Sequence, residues 1–224
     1  MTKSPTRSIA ALAAVFIAIG LSVHASLLAV ADSAVAESSA LLEGAWRKAP
    51  PPLVEWIRVR NGLLLAQRMA PSDPAIFEIL GVLHARRAAS SEFLTYARDY
   101  YIQSLSLRPT SPYTWTNFAE TKYLLGETGQ LFERALGTAI DLGPWEPLVQ
   151  LPVIDVGLAV YGEVPVALRT QIDSIVSFGM RRNSLEILQI ARRRGRLDVA
   201  CRYASASPRL TDAQRAEFCK GSQQ

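Results

Sequence analysis

The stretch SLRPTSPYTW, residues 106–115, decides how this chain folds. Apolar residues on either side recur at helical steps, yet Pro109 and Pro112 interrupt them only three residues apart. The same doublet occurs upstream in APSDPAIF (70–77), with Pro71 and Pro74, and downstream in GPWEP (143–147), with Pro144 and Pro147. The first prolines of the three doublets, at 71, 109 and 144, are spaced 38 and then 35 residues apart.

Each proline has a physical job. Pro71 and Pro109 follow the end of an apolar-periodic run, where proline cannot continue the helical ladder. Asp73 and Ser111 are strong N-cap types, and Pro74 and Pro112 then occupy the first helical position, where the missing N–H costs nothing. The doublet therefore ends one helix and starts the next within four residues. Repeated every ~35 residues with a second break midway, it predicts stacked antiparallel helical hairpins. Helical periodicity runs through 52–70, 74–88, 91–107, 112–126 and 130–143, and no alternating strand pattern interrupts it. The expected fold class is all-α.

These residues also carry a resemblance to the tetratricopeptide repeat. From Pro74 the chain supplies Phe77, Leu80 and Gly81, with His84 in the next aromatic slot, then Ala97, Tyr101, Ser104 and Pro109. The two halves of this unit lie four residues further apart than in the family. The next unit supplies Trp115, Phe118, Ala119 and Gly126, then Phe132, Leu136, Ala139 and Pro144, with a one-residue slip between them. After Pro147 the pattern fades, because Gln150 stands where an aromatic belongs. The resemblance covers about 60–147 and implies a TPR-like right-handed solenoid. The stretches LRPTSPYTWTNFAETKYLLG and LGPWEPLVQLPVIDVGLAVYGEVP are further similar to the small membrane-anchored repeat proteins of bacterial exopolysaccharide assembly, the VpsP type.

The amino terminus is of another kind. After a basic flank over residues 1–8, residues 9–31 contain no Asp, Glu, Lys or Arg. As a helix these 23 residues span roughly 35 Å, enough for a hydrocarbon core of about 30 Å. They read either as a transmembrane signal anchor or as a signal peptide cut before Ser26, Asp32 or Glu37. Lys3 and Arg7 precede the segment, which biases the amino terminus to the inside and sends the rest of the chain outward. Residues 32–52 read as a tether, 53–147 as the repeats and 148–224 as a divergent helical region. In a bacterium this is a single-pass protein of the inner membrane with its soluble part in the periplasm.

Candidate chemistry is sparse. Of the two histidines, His24 lies in the apolar segment and His84 in a core slot. No phosphate-binding glycine loop, metal-ligand spacing or nucleophile elbow is present, so neither catalytic residues, cofactor nor metal is expected. With Phe77 and Trp115 as core, Glu78, Val82, Arg86, Tyr113, Asn117, Glu120 and Tyr123 are expected on the concave face as partner-contacting residues. The family's grip on a partner's terminal carboxylate uses Lys, Arg and Asn; Asn117 matches one such slot, and Glu78 and Glu120 leave the clamp incomplete.

From residue 181 to residue 220 there are ten Lys or Arg against four Asp or Glu. The cluster Arg192, Arg193, Arg194 and Arg196 reads as a solvated helix end or as a contact for anionic lipid or acidic polysaccharide. Nucleic acid is not expected, since no aromatics interleave with the cluster and an exported domain does not meet it. Cys201 and Cys219 form either a disulfide, which suits an oxidising compartment, or two idle thiols. The resulting expectation is a non-enzymatic scaffold or accessory protein that binds envelope proteins of an exopolysaccharide system. A general periplasmic assembly factor and a polysaccharide-modifying enzyme using Glu78 and Glu120 are the alternatives.

Overall fold

The computed structural model describes residues 5–46, 49–87 and 90–220. The first half of the basic flank, including Lys3, and the Arg47–Lys48 pair of the expected tether lie outside the described residues. Those residues form helices and turns alone: α1 (Pro5–Glu43), α2 (Leu53–Met69), α3 (Pro74–Ala85), α4 (Ser91–Leu107), α5 (Pro112–Leu124), α6 (Gln130–Leu142), α7 (Pro147–Val160), α8 (Val166–Gly179), α9 (Ser184–Arg194), α10 (Leu197–Cys201), a 3-10 turn (Ala204–Ala206) and α11 (Asp212–Cys219).

The doublets act as their chemistry requires. Asp73 Oδ1 accepts from the Ala75 N–H at 2.9 Å, and Ser111 Oγ accepts from the Thr114 N–H at 3.3 Å. Pro74, Pro112 and Pro147 each begin a helix. The third doublet differs, because the Glu146 side chain caps nothing in α7 and instead accepts from the Tyr113 hydroxyl at 2.7 Å.

Short connections make successive helices antiparallel. Helices α3 and α4 approach closely at Gly81. A Cβ added to Gly81 would stand 2.4 Å from the Tyr101 ring, so only glycine lets that fully buried aromatic lie against α3. The apolar interior forms two continuous clusters, one from α1 to α3 and one from α4 to α11, with Val82 packed against both. Phe77 is buried as expected, whereas Trp115 is only half-buried.

The tether expectation is corrected at 32–43. There α1 continues without a break to Glu43, and Ala31, Leu42 and Trp46 are buried against α2 and α3. Arg58 Nη1 donates to Glu37 Oε1 at 2.8 Å across the same contact. At about 1.5 Å per residue, the 39 residues of α1 reach roughly 58 Å. The helix is long and apolar enough to cross a membrane, and its residues from Leu12 to Val30 leave large apolar side chains exposed.

Beyond Pro147 the hairpins continue through α7 and α8, and α9 packs back onto α7. Pro152 lies inside α7, where its missing N–H leaves the Leu148 carbonyl without its helical partner. Cys201 and Cys219 are joined as a disulfide with Cα atoms 5.7 Å apart, tying α11 to α10.

Candidate functional site

A half-open groove of about 890 Å³ runs along the array. Three hairpin-opening helices form its floor: Ala75, Glu78, Ile79 and Val82 from α3 with its C-cap Arg86, Tyr113, Asn117 and Glu120 from α5, and Leu148 and Pro152 from α7. Their spacing explains the alignment. Steps of three and four residues keep side chains on one helical face, and the shared phase of α3 and α5 brings the two faces side by side.

Six of the seven residues expected on the concave face therefore line one groove: Glu78, Val82, Arg86, Tyr113, Asn117 and Glu120. Tyr123 does not. It sits about a quarter turn away from the Tyr113–Asn117–Glu120 line on α5. Its hydroxyl accepts from Arg194 Nη1 at 3.2 Å, and the guanidinium carbon lies 5.5 Å from its ring centre.

The remaining wall comes from α1, through Val35, Ser39, Leu42 and Glu43. Sequence reasoning missed this contribution because it read 32–52 as a tether. The signal was present, since Ala31, Val35, Ser38 and Leu42 fall at steps of four, three and four residues. Small and polar neighbours obscured that stripe.

The groove is amphipathic. Val35, Leu42, Ile79, Val82 and Leu148 supply apolar surface, and Leu148 is 75% exposed. Its charges are not equivalent. Glu78 is ion-paired with Arg108 at the edge. Glu120 is open to the groove, yet the protein around it removes enough water to raise its pKa, with Asp155 pushing the same way and Arg86 opposing. Beneath them Tyr101 is buried, and burial first, then the charges of Glu120 and Glu78, hold its hydroxyl well above its ordinary pKa. Among the described residues no group of three or more His, Cys, Asp and Glu is placed to hold a metal ion.

The expected basic patch does not form a single surface. Arg194 Nη2 and Nε donate to the two Asp155 oxygens at 2.6 and 3.1 Å, fastening α9 to α7. Arg192 lies 3.9 Å from the Phe218 ring centre and 3.5 Å from Glu217. The Arg196 guanidinium packs against the backbone at Gly162, and Arg193, the most exposed of the ion-paired members, lies 3.8 Å from Asp155. Four consecutive-looking cations diverge because a helix turns each by about 100° and Gly195 then reverses the chain at φ 66°.

Fold and groove together define an all-α array of antiparallel helical hairpins, a generic α-solenoid with one helix able to span a membrane. No protein-family model, curated protein or solved structure matches this chain.

Proposed function

We propose that this protein is a membrane-anchored, TPR-like scaffold of the bacterial envelope that docks a segment of a partner protein in the groove over α3, α5 and α7. The groove itself carries the reading: apolar and hydrogen-bonding side chains from α1, α3, α5 and α7 line a half-open channel of about 890 Å³ that can take a peptide segment. In this reading α1 is the inner-membrane anchor and the array stands in the periplasm. Retention of α1 is supported by its packing, because cuts before Asp32 or Glu37 would sever a helix whose Ala31 and Leu42 are buried on α2 and α3. The disulfide suits the same oxidising compartment.

The process served is exopolysaccharide polymerisation or export, on the strength of the sequence resemblance, with general envelope assembly as the broader alternative. The test combines Val82→Arg with Leu148→Asp in the full-length protein, with unchanged helix content as the control. Loss of a defined co-purifying envelope partner together with reduced polymer yield is expected. Intact partner recovery from the double variant would overturn groove docking.

A hydrolytic reading has one observation in its favour, the shared groove of Glu78 and the raised-pKa Glu120. We place it second because the groove does not exclude water. Polysaccharide cleavage by the purified protein that disappears in Glu78→Ala/Glu120→Ala would reverse that order.

A further inference from the structure

The proline loops share one edge of the array, and that edge meets the membrane-spanning part of α1. Met69–Asp73, joining α2 to α3, encloses a common pocket with His24, Leu28 and Asp32 of α1. His24 and Leu28 lie in the last turns of the uncharged stretch, and Asp32 is the first charged residue after it. Antiparallel succession places the α4–α5, α6–α7 and α8–α9 connections on the same edge, and the contacts agree. Ser104 Oγ near the end of α4 donates to the Pro74 carbonyl at 2.9 Å, and Tyr113 bonds Glu146 between the starts of α5 and α7. The Trp145 ring lies 4.4 Å from Phe178 near the end of α8. Arg182 Nη1 then donates to the Trp145 carbonyl at 3.3 Å, and Arg209 Nη1 to the Arg182 carbonyl at 3.0 Å.

Ion pairing is uneven along the array, and at the proline-loop edge Arg108 is paired with Glu78. At the far ends of the helices, Arg98 and Lys122 pair with Glu127, and Arg194 pairs with Asp155. At the proline-loop edge, Arg181, Arg182 and Arg209 are exposed and form no ion pair with a carboxylate among the described residues. The bonds that hold Arg182 and Arg209 run to carbonyls, which orient a guanidinium without neutralising it. Beside them Trp145 is 49% exposed, and Leu142 at the end of α6 is 42% exposed. Exposed cations flanking an amphipathic indole are what a bilayer interface attracts.

We infer that the proline-loop edge is a second membrane-contact surface, in which Arg181, Arg182 and Arg209 bind anionic lipid headgroups and Trp145 enters the interfacial layer. This rests on α1 being a retained anchor, and it adds an orientation: the array lies down along the bilayer instead of standing free above it. The groove is then held at the membrane surface, within reach of segments that flank a partner's own transmembrane helices. The lipid contact belongs to this edge and not to the Arg192–Arg196 cluster, which lies at the opposite ends of the helices.

The test uses the full-length protein in phosphatidylcholine vesicles with and without phosphatidylglycerol. Quenching of tryptophan fluorescence by lipids brominated near the headgroup is compared between wild type and Trp145→Phe. A Trp145-dependent quenching that requires phosphatidylglycerol is expected, with its loss in Arg181→Glu/Arg182→Glu/Arg209→Glu and retention in Arg193→Glu/Arg196→Glu. Absence of Trp145 quenching in a protein that resists alkaline carbonate extraction would overturn the edge contact and leave the anchor standing. Quenching that survives the triple reversal would overturn the headgroup assignment. Release of the wild-type protein by carbonate would remove the anchor reading and this inference together.

Discussion

Gln150 Nε2 donates to the Pro144 carbonyl at 2.6 Å, and Trp115 Nε1 donates to the Pro109 carbonyl at 2.7 Å. In both cases the donor stands six residues after the first proline of a doublet. Gln150 thus takes over the bond made by the aromatic it replaces, and the hairpin series passes Pro147 although its sequence signature does not. Gln150→Leu would leave the Pro144 carbonyl unpaired beside a fully buried site and should cost about 1–3 kcal/mol. Urea unfolding measures this, and an unchanged midpoint would show the bond to be incidental.

Gly81 and Tyr101 set how closely α3 approaches α4. Gly81→Ala places a methyl group inside the Tyr101 ring contact, and overpacking of this kind costs about 1–3 kcal/mol. A double-mutant cycle with Tyr101→Leu should recover part of that loss. Purely additive effects would mean that the two positions are independent.

His84 makes stability depend on pH. Burial lowers its pKa most, its Nδ1–H bond to the Leu80 carbonyl partly offsets this, and the charge of Arg60 lowers it further. A histidine with a depressed folded-state pKa binds its proton more readily when unfolded. Stability is therefore fully present above the unfolded value of about 6.5 and falls as pH drops through the folded value. His84→Phe, which keeps an aromatic among Trp56, Phe93 and Tyr100, should flatten that decline in unfolding midpoints measured on either side of pH ~6.

The disulfide carries much of the carboxyl-terminal order, since α11 buries only Phe218. With its cysteines 18 positions apart in sequence, Cys201→Ser/Cys219→Ser should lose about 3 kcal/mol by the loop-entropy argument. Hydrogen exchange should accelerate first over 212–219. Equal protection there in oxidised and reduced protein would refute the role.

Arg194 joins three helices through Asp155 and Tyr123. Arg194→Lys keeps the charge but loses the forked geometry, with an expected cost of about 1–2 kcal/mol. Asp155→Asn should then add little to Arg194→Lys. A full additional loss in the double variant would show that the two groups are not coupled.

The proline doublets, their caps and the three-and-four periodicity were enough, read along the chain, to define helices, their order and the common face of Glu78, Val82, Arg86, Tyr113, Asn117 and Glu120. All of these are local properties, set within one or two helical turns. Whether residues 32–43 fold as tether or helix depended on partners in α2 and α3, because small residues make a weak stripe that only a neighbouring surface makes worth burying. The dispersal of the arginine cluster, the placing of Tyr123 under Arg194 and the substitution of Gln150 for an aromatic were likewise decided in three dimensions. Each depends on which side chain from a distant helix arrives at that point, and no spacing along the chain encodes an encounter of that kind.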